Sequence, residues 1–226
     1  MEPSDQIALW AVRAGLVVAG LGWWFWTQRL LGRRPWPATA IGDAIHDWTD
    51  ALNRFLATHV RAADALLVTS SAVIDGLGLV VPASAIFGPS IRPFLGLLIV
   101  YALRQLCQGL CAFSPPPGMI WRHPGFPSLL VTYGTATDLF FSGHTAIAVY
   151  GAIELGRLGG PWMIPLGVAI VLFEAGAVLV LRAHSTADVF AAIVAALWAA
   201  SVADLLAPAL DRALATVLAL AVRLAG

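Results

Sequence analysis

The stretch WMIPLGVAIVLFEAGAVLVLRAHSTADVFAAIVAALWAASVADLL, residues 162–206, holds two apolar runs on either side of a short polar turn at His184. A hydrocarbon core about 30 Å thick takes about 20 apolar residues at about 1.5 Å rise each. Residues 162–182 and 186–206 both meet that length. The same ruler, run along all 226 residues, finds four more spans at 7–28, 63–87, 92–112 and 143–158, the last the shortest. The predicted fold is all-α: one polytopic integral-membrane domain, residues 1–226, of six transmembrane helices. Trp23, Trp24 and Trp26 close the first span, as an interfacial aromatic belt does.

Composition agrees. The chain is 59% hydrophobic and 12% charged, against about 45–50% and about 25% in ordinary soluble domains. All thirteen basic residues are arginine, and thirteen acids bring the net charge to zero. A nucleic-acid binder needs a basic face, so that class is excluded. Two cysteines give no disulfide framework. The first apolar stretch lacks a basic start and a small-residue cleavage site, so it reads as a span rather than a leader.

Two segments read as lying on the membrane. Residues 41–60 space Ile41, Ile45, Trp48, Leu52, Phe55 and Leu56 along one helical face, with Asp43, Asp47, Asp50 and Arg54 on the other, so the predicted helix is amphipathic and interfacial. His46 and His59 read as surface residues of that helix. Residues 208–225, with Asp211, Arg212 and Arg223 as polar marks, form a weaker second interfacial segment. The piece between spans at 113–142 begins Ser114-Pro115-Pro116-Pro117-Gly118, which cannot continue a helix. Loops of that length are usually functional or disordered. Its aromatic residues predict a functional, partly packed loop.

Ionisable side chains at membrane depth are costly and point to function. His144 opens the fourth span, while His184 and Asp188 lie where the fifth ends and the sixth begins, so helix parity brings all three to one face. His184 and Asp188, four apart, share a helix face. This is a metal-free phosphoryl-transfer set. One imidazole attacks phosphorus, a carboxylate on its other ring nitrogen fixes the tautomer, and a second histidine moves the alcohol's proton. Ser142 and Gly143, at a helix start, offer donors to phosphate oxygens. Arg104 inside the third span is a candidate for phosphate or acid pairing. Arg182 is a candidate phosphate clamp or a snorkelling arginine, and Asp138 a site residue or loop cap. Asp75 and Glu174 lie deeper. Glu174, about 15 Å along its helix from His184, suits a structural pairing with an interior arginine or a contact to a lipid amide or hydroxyl.

Phe141-Ser142-Gly143-His144-Thr145 and His184-Ser185-Thr186-Ala187-Asp188-Val189 resemble the SGHT and HYxxDV motifs of the sphingomyelin synthase family, a branch of the metal-independent type 2 phosphatidic acid phosphatase superfamily. Pro115–Met119 after a span bearing Arg104 resembles that family's proline-containing loop, and Asp138 fits as well. Ser185 stands where the family usually has tyrosine. The phosphatase branch's lysine-bearing motif has no counterpart in a chain without lysine.

The resemblance implies six spans, no cofactor or metal, and transfer of a phosphocholine or phosphoethanolamine headgroup from a glycerophospholipid to ceramide or another lipid alcohol. His184 would be the nucleophile, with Asp188 and His144 as partners. The rival readings are a lipid phosphate phosphatase or phospholipase C-like hydrolase with the same triad, and a non-catalytic transporter or scaffold using Asp75, Arg104 and Glu174. Arg29, Arg33, Arg34, Arg54, Arg61, Arg122 and Arg182 fall on the catalytic side. The positive-inside rule makes that side cytoplasmic, whereas the resemblance implies an exoplasmic site. We follow the resemblance. An alanine- and arginine-rich, lysine-free chain suits a GC-rich bacterial genome, so the expected location is a bacterial inner membrane with the site facing the periplasm.

Overall fold

The computed structural model describes residues 3–33, 42–126, 128–131, 133 and 139–225. These residues form α1 (Pro3–Leu31), α2 (Ala44–Trp48), α3 (Asp50–Thr58), α4 (Val60–Phe87), α5 (Arg92–Leu110), α6 (Gly143–Gly159), a 3-10 turn at Pro161–Met163, α7 (Ile164–Val180) and α8 (Thr186–Ala225). No strand occurs among the described residues.

Among the described residues five segments are long and apolar enough to cross a membrane: Asp5–Leu30, Val60–Phe87, Arg92–Leu110, Pro161–Val180 and Thr186–Ala221. They correspond to five of the six expected spans and make this an all-helical chain of integral-membrane character. The expected span at 143–158 is α6, whose 17 residues reach only about 25 Å. Every residue from His144 to Gly151 is buried, the mark of a helix covered on all sides rather than a surface one. It packs against α4, α5, α7 and α8, so this short helix forms the middle of the bundle and carries His144 at its first turn.

Ion pairs lock the end of the bundle away from His144. Arg92 on α5 holds Glu154 of α6 through both guanidinium nitrogens at 2.7 and 2.6 Å. Arg157 of α6 holds Asp204 of α8 at 2.7 Å twice. Arg13 of α1 donates to the Gly88 carbonyl at 2.7 Å and to Asp211 at 3.3 Å. Bidentate pairs of this kind fix orientation as well as distance.

Three sequence expectations are corrected. Residues 208–225 are not a separate interfacial segment, because α8 runs unbroken through Pro208 for 40 residues, about 60 Å. Tertiary anchors carry the helix past the proline. Asp211 accepts from the Ile91 amide at 2.9 Å and from Ser90 and Arg13, while Leu210 and Leu214 pack on the core. Trp24 is no belt residue: it is 4% exposed and stacks on Tyr101 with ring centroids 4.8 Å apart, whereas Trp26 is exposed. The 41–60 helix breaks at Thr49 into α2 and α3. Its buried side is His46, Asn53 and Leu56, while Trp48, Leu52 and Phe55 point outward.

Candidate active site

Two chain segments converge at the start of α6. Ser142 caps that helix, its hydroxyl accepting from the Thr145 amide at 3.3 Å and the Thr145 hydroxyl at 3.0 Å. The Ser142 amide donates to the Asp188 carbonyl at 3.2 Å, joining the head of α6 to the head of α8. One step away, His184 Nδ1 lies 2.9 Å from the Leu139 carbonyl oxygen. A carbonyl only accepts, so Nδ1 carries the proton and Nε2 presents its lone pair.

That geometry changes the expected role of Asp188. The sequence reading placed its carboxylate on the second ring nitrogen of His184, but the Leu139 carbonyl occupies that position, and Asp188 Oδ2 lies 3.8 Å from Nδ1. Oδ2 instead accepts from the Ser185 amide at 2.7 Å and the Ser185 hydroxyl at 2.8 Å, while the Asp188 amide donates back to that hydroxyl at 3.3 Å. This reciprocal pattern is a capping box. Ser185 directly precedes α8 and caps its start. Asp188 therefore fixes the turn that bears His184, with its carboxylate 3.8 Å from Nδ1.

His144 is 7% exposed, and its Nε2 is buried without a hydrogen-bond partner among the described residues. The ring of Trp121 meets it edge to face at 5.1 Å, and Trp121 rests on Tyr133 at 4.9 Å. Arg104, 6% exposed, donates Nε to the Phe141 carbonyl at 3.0 Å. A Cβ at Gly143 would lie 3.0 Å from that Nε and 3.2 Å from Cζ. Glycine at 143 therefore lets the guanidinium lie against the first turn of α6, beside His144.

The 113–142 segment is tied down from below and above. Asn53 donates to the Gly118 and Val180 carbonyls at 3.2 and 2.8 Å, and the Ile120 amide to the Leu181 carbonyl at 2.7 Å. Gly118 has φ +79, a left-handed conformation that suits glycine. Deeper, Asp75 on α4 accepts from the Leu129 and Leu130 amides, both at 2.8 Å, and Ser71 pairs with the Tyr133 hydroxyl at 2.5 Å. Asp75 lies fifteen residues into α4, about 22 Å along it. Irregular backbone at such depth needs a partner for each amide, and one carboxylate supplies two. Asp75 is thus a loop anchor.

Arg182 is similarly committed. It donates to the Pro117 carbonyl at 2.7 Å, the His46 carbonyl at 3.2 Å and Asp50 at 2.6 Å. It clamps α2, α3 and the proline turn together, so the phosphate-clamp expectation is not met. His46, read as surface, is buried, and its Nε2 donates to the His184 carbonyl at 2.9 Å; His59 is exposed. Asp43 caps two helices, accepting from the Ile45 amide at 2.9 Å and from the Thr186 hydroxyl at 2.7 Å and amide. Burial pushes the Asp43 carboxyl up, but the Thr186, His46 and Ile45 interactions outweigh it and hold it below the usual carboxylate range. The amphipathic pattern at 41–60 set Asp43 and Asp50 on a polar face and left His46 at the surface, and it carried no signal that this side packs toward His184.

Glu174 is fully buried. Its Oε2 accepts from Ser70 at 2.6 Å, and among the described residues Oε1 has no partner and no arginine pairs with the carboxylate, so the expected pairing with an interior arginine is not found there. Arg122 pairs with Asp64 at 2.6 Å and is exposed. Asp138 lies outside the described residues. Among the described residues no group of three or more His, Cys, Asp or Glu could hold a metal ion. Below the site, α7 and α8 both pack on α6 but hardly on each other. They leave an apolar groove of about 560 Å³ between Val149, Ile153, Ile164, Val168, Leu172 and Ile193, among others. No protein-family model, curated protein or solved structure matches the chain.

Proposed function

We propose that the chain is a metal-independent lipid phosphotransferase that moves a phospho-alcohol headgroup from a glycerophospholipid to a ceramide-like or other lipid alcohol and releases diacylglycerol. The observation that carries this reading is the junction of the two histidine segments. Ser142 bonds to Asp188, and His184 bonds through Nδ1 to the Leu139 carbonyl, which leaves the lone pair on Nε2. A resident of the bilayer reaches such a site sideways, and the apolar groove between α7 and α8 suits its acyl chains.

In this mechanism His184 Nε2 attacks phosphorus and the bond to the diacylglycerol oxygen breaks. The Leu139 carbonyl accepts Nδ1–H and steadies the positive charge that develops on the ring, and Asp188 at 3.8 Å adds charge stabilisation. His144 gives the leaving alkoxide a proton. It then takes the proton of the incoming alcohol, which attacks the phosphohistidine and restores Nε2. Arg104 seated on Gly143 and the first-turn amides of α6 put positive potential beside the transferring group.

Transfer is favoured over hydrolysis because the site excludes water: His184 is 5% exposed, and Trp121 covers His144. In this reading α6 is the sixth membrane element, short because it is enclosed by protein, and α2 and α3 lie at the interface with Trp48, Leu52 and Phe55 in lipid. The site faces the periplasm of a bacterial inner membrane. The test uses purified protein in liposomes with fluorescent ceramide and a phosphatidylcholine or phosphatidylethanolamine donor. A fluorescent phospholipid made by wild type and not by His184→Ala supports the reading. Diacylglycerol without that product moves the chain to the hydrolases, and solute flux surviving His184→Ala moves it to the transporters.

A further inference from the structure

Ten residues into α7, about 15 Å from its start, Glu174 lies in the interior of the span. Its side chain is fully buried, with one carboxyl oxygen on the Ser70 hydroxyl at 2.6 Å and the other without a partner among the described residues. An ionised carboxylate buried without a cation is costly, and such a group keeps its proton instead. The next residue of α4, Ser71, pairs with the Tyr133 hydroxyl at 2.5 Å. Tyr133 rests on Trp121, and Trp121 covers His144. Two consecutive serines therefore tie the α7 carboxyl and the loop cover to the same turn of α4.

We propose that Glu174 is a positioning residue that works as a neutral acid, and that closing the Tyr133–Trp121 cover over His144 is coupled to its proton. Lifting Tyr133 off Ser71 uncovers the neighbouring bond and lets water reach Glu174, whose proton then leaves. The closed state thus binds one proton more than the opened one. Closing is at full strength below the ordinary glutamate value of about 4.3 and weakens as pH rises, by up to about tenfold per pH unit, until the closed state also gives up the proton. The coupling does not depend on the transfer reading; its effect on products does.

The other titratable groups on the elements packed against α7 are engaged elsewhere or exposed. On α4, Asp75 holds the Leu129 and Leu130 amides, Asp64 pairs with Arg122 at 2.6 Å, and Arg61 is exposed. On α6, His144 lies against Trp121, Tyr150 donates to the Arg92 carbonyl, and Glu154 and Arg157 are paired at the far end. The 3-10 turn before α7 carries no titratable group. On α2 and α3, His46 and Asp50 are held by the His184 carbonyl and Arg182, and Asp47 and Arg54 are exposed. Burial, ahead of the opposing Ser71 bond, pushes the Tyr133 hydroxyl above its ordinary value, and the Asp75 and Glu174 carboxyls add to this.

The experiment measures hydrogen exchange of the full chain in ester-free detergent at a series of pH values. Protection of residues 121–133 in wild type is divided by that in Glu174→Gln, which keeps the shape and cannot ionise; the ratio cancels the intrinsic pH dependence of exchange. It should fall with rising pH by up to about tenfold per unit above the ordinary glutamate value. A ratio that stays flat or rises overturns the proposal. Infrared spectra give a second readout on wild type alone. Near neutral pH, carboxyls of ordinary value are ionised, so a protonated-carboxyl carbonyl band should be present, and Glu174→Gln should lose it. No such band in wild type, or the same band in the variant, overturns the proposal. Should Glu174→Gln fail to fold, a wild-type band that disappears on alkalinisation after the loop has lost protection upholds the coupling. A band that persists with protection unchanged refutes it. In turnover, rising pH should move products from transferred headgroup toward hydrolysis more in wild type than in Glu174→Gln, and an equal shift in both overturns the link to chemistry. If no donor turns over, the transfer reading fails while the exchange ratio still decides the proton coupling.

Discussion

Asp75→Ala separates the loop's sealing role from the chemistry. The carboxylate holds the Leu129 and Leu130 amides at 2.8 Å each. A hydrogen bond to a charged group contributes about 1.5–3 kcal/mol, so the pair has a ceiling of about 3–6 kcal/mol. Asp75 is only partly buried and the freed amides can find other partners. The expected loss in local opening free energy is therefore about 1–3 kcal/mol, or about 5- to 150-fold faster exchange. Hydrogen exchange with mass spectrometry in nanodiscs should show this over residues 121–133 and not over α6. Trp121 in the same segment covers His144, so water gains access and the product split moves from transferred headgroup toward hydrolysis. Asp75→Asn, which keeps one accepting oxygen, should fall between. Unchanged protection in Asp75→Ala would refute the anchoring argument, and faster exchange with an unchanged product split would refute the sealing argument.

Arg182→Ala should lower thermal stability by about 1–3 kcal/mol, because one guanidinium serves Asp50 and two carbonyls. Arg182→Lys should rescue only part of it, since a point charge cannot span three acceptors; full rescue in a thermal melt would contradict the clamp. The Asp43 carboxyl is held below its ordinary value, so its stabilisation is complete above the unfolded value near about 3.9 and is lost as pH falls through the lower folded value. Melting curves of wild type and Asp43→Asn should differ at pH 7 and converge in strong acid; a gap that widens on acidification would reverse the sign. Cys111 is exposed at the site end of α5 while Cys107 is half-buried. In a Cys107→Ser background an impermeant maleimide should label Cys111 from outside spheroplasts, and labelling only in inverted vesicles would make the site cytoplasmic.

The long apolar elements were legible because hydrophobic length is a local property. Residues 63–87 and 92–112 became Val60–Phe87 and Arg92–Leu110 with little change. The last span was ended at 206 by the length ruler, whereas α8 runs on through Pro208 to Ala225. The anchors at Asp211 that carry α8 past the proline come from residues about 120 to 200 positions away in sequence. The histidines could be placed at one end by counting helices, but the partner of His184 Nδ1 could not. The Leu139 carbonyl is a backbone atom, and no side-chain pattern announces it. Asp188 at the i+4 position looked like the natural partner, and its engagement with Ser185 depends on the turn geometry. Asn53 and Trp121 escaped notice, and His46 was read as surface, for a related reason: each acts through long-range contacts, and such contacts leave no periodicity.

The most direct test of the central claim is to trap the covalent intermediate. Wild-type protein is mixed with a phosphatidylcholine donor and no acceptor, quenched in alkali, digested and analysed by mass spectrometry. The account predicts a phosphocholine adduct on His184 that vanishes when a lipid alcohol is added and is absent from His184→Ala. Headgroup transfer that proceeds in His184→Ala, or an adduct carried by a residue other than His184, would contradict it.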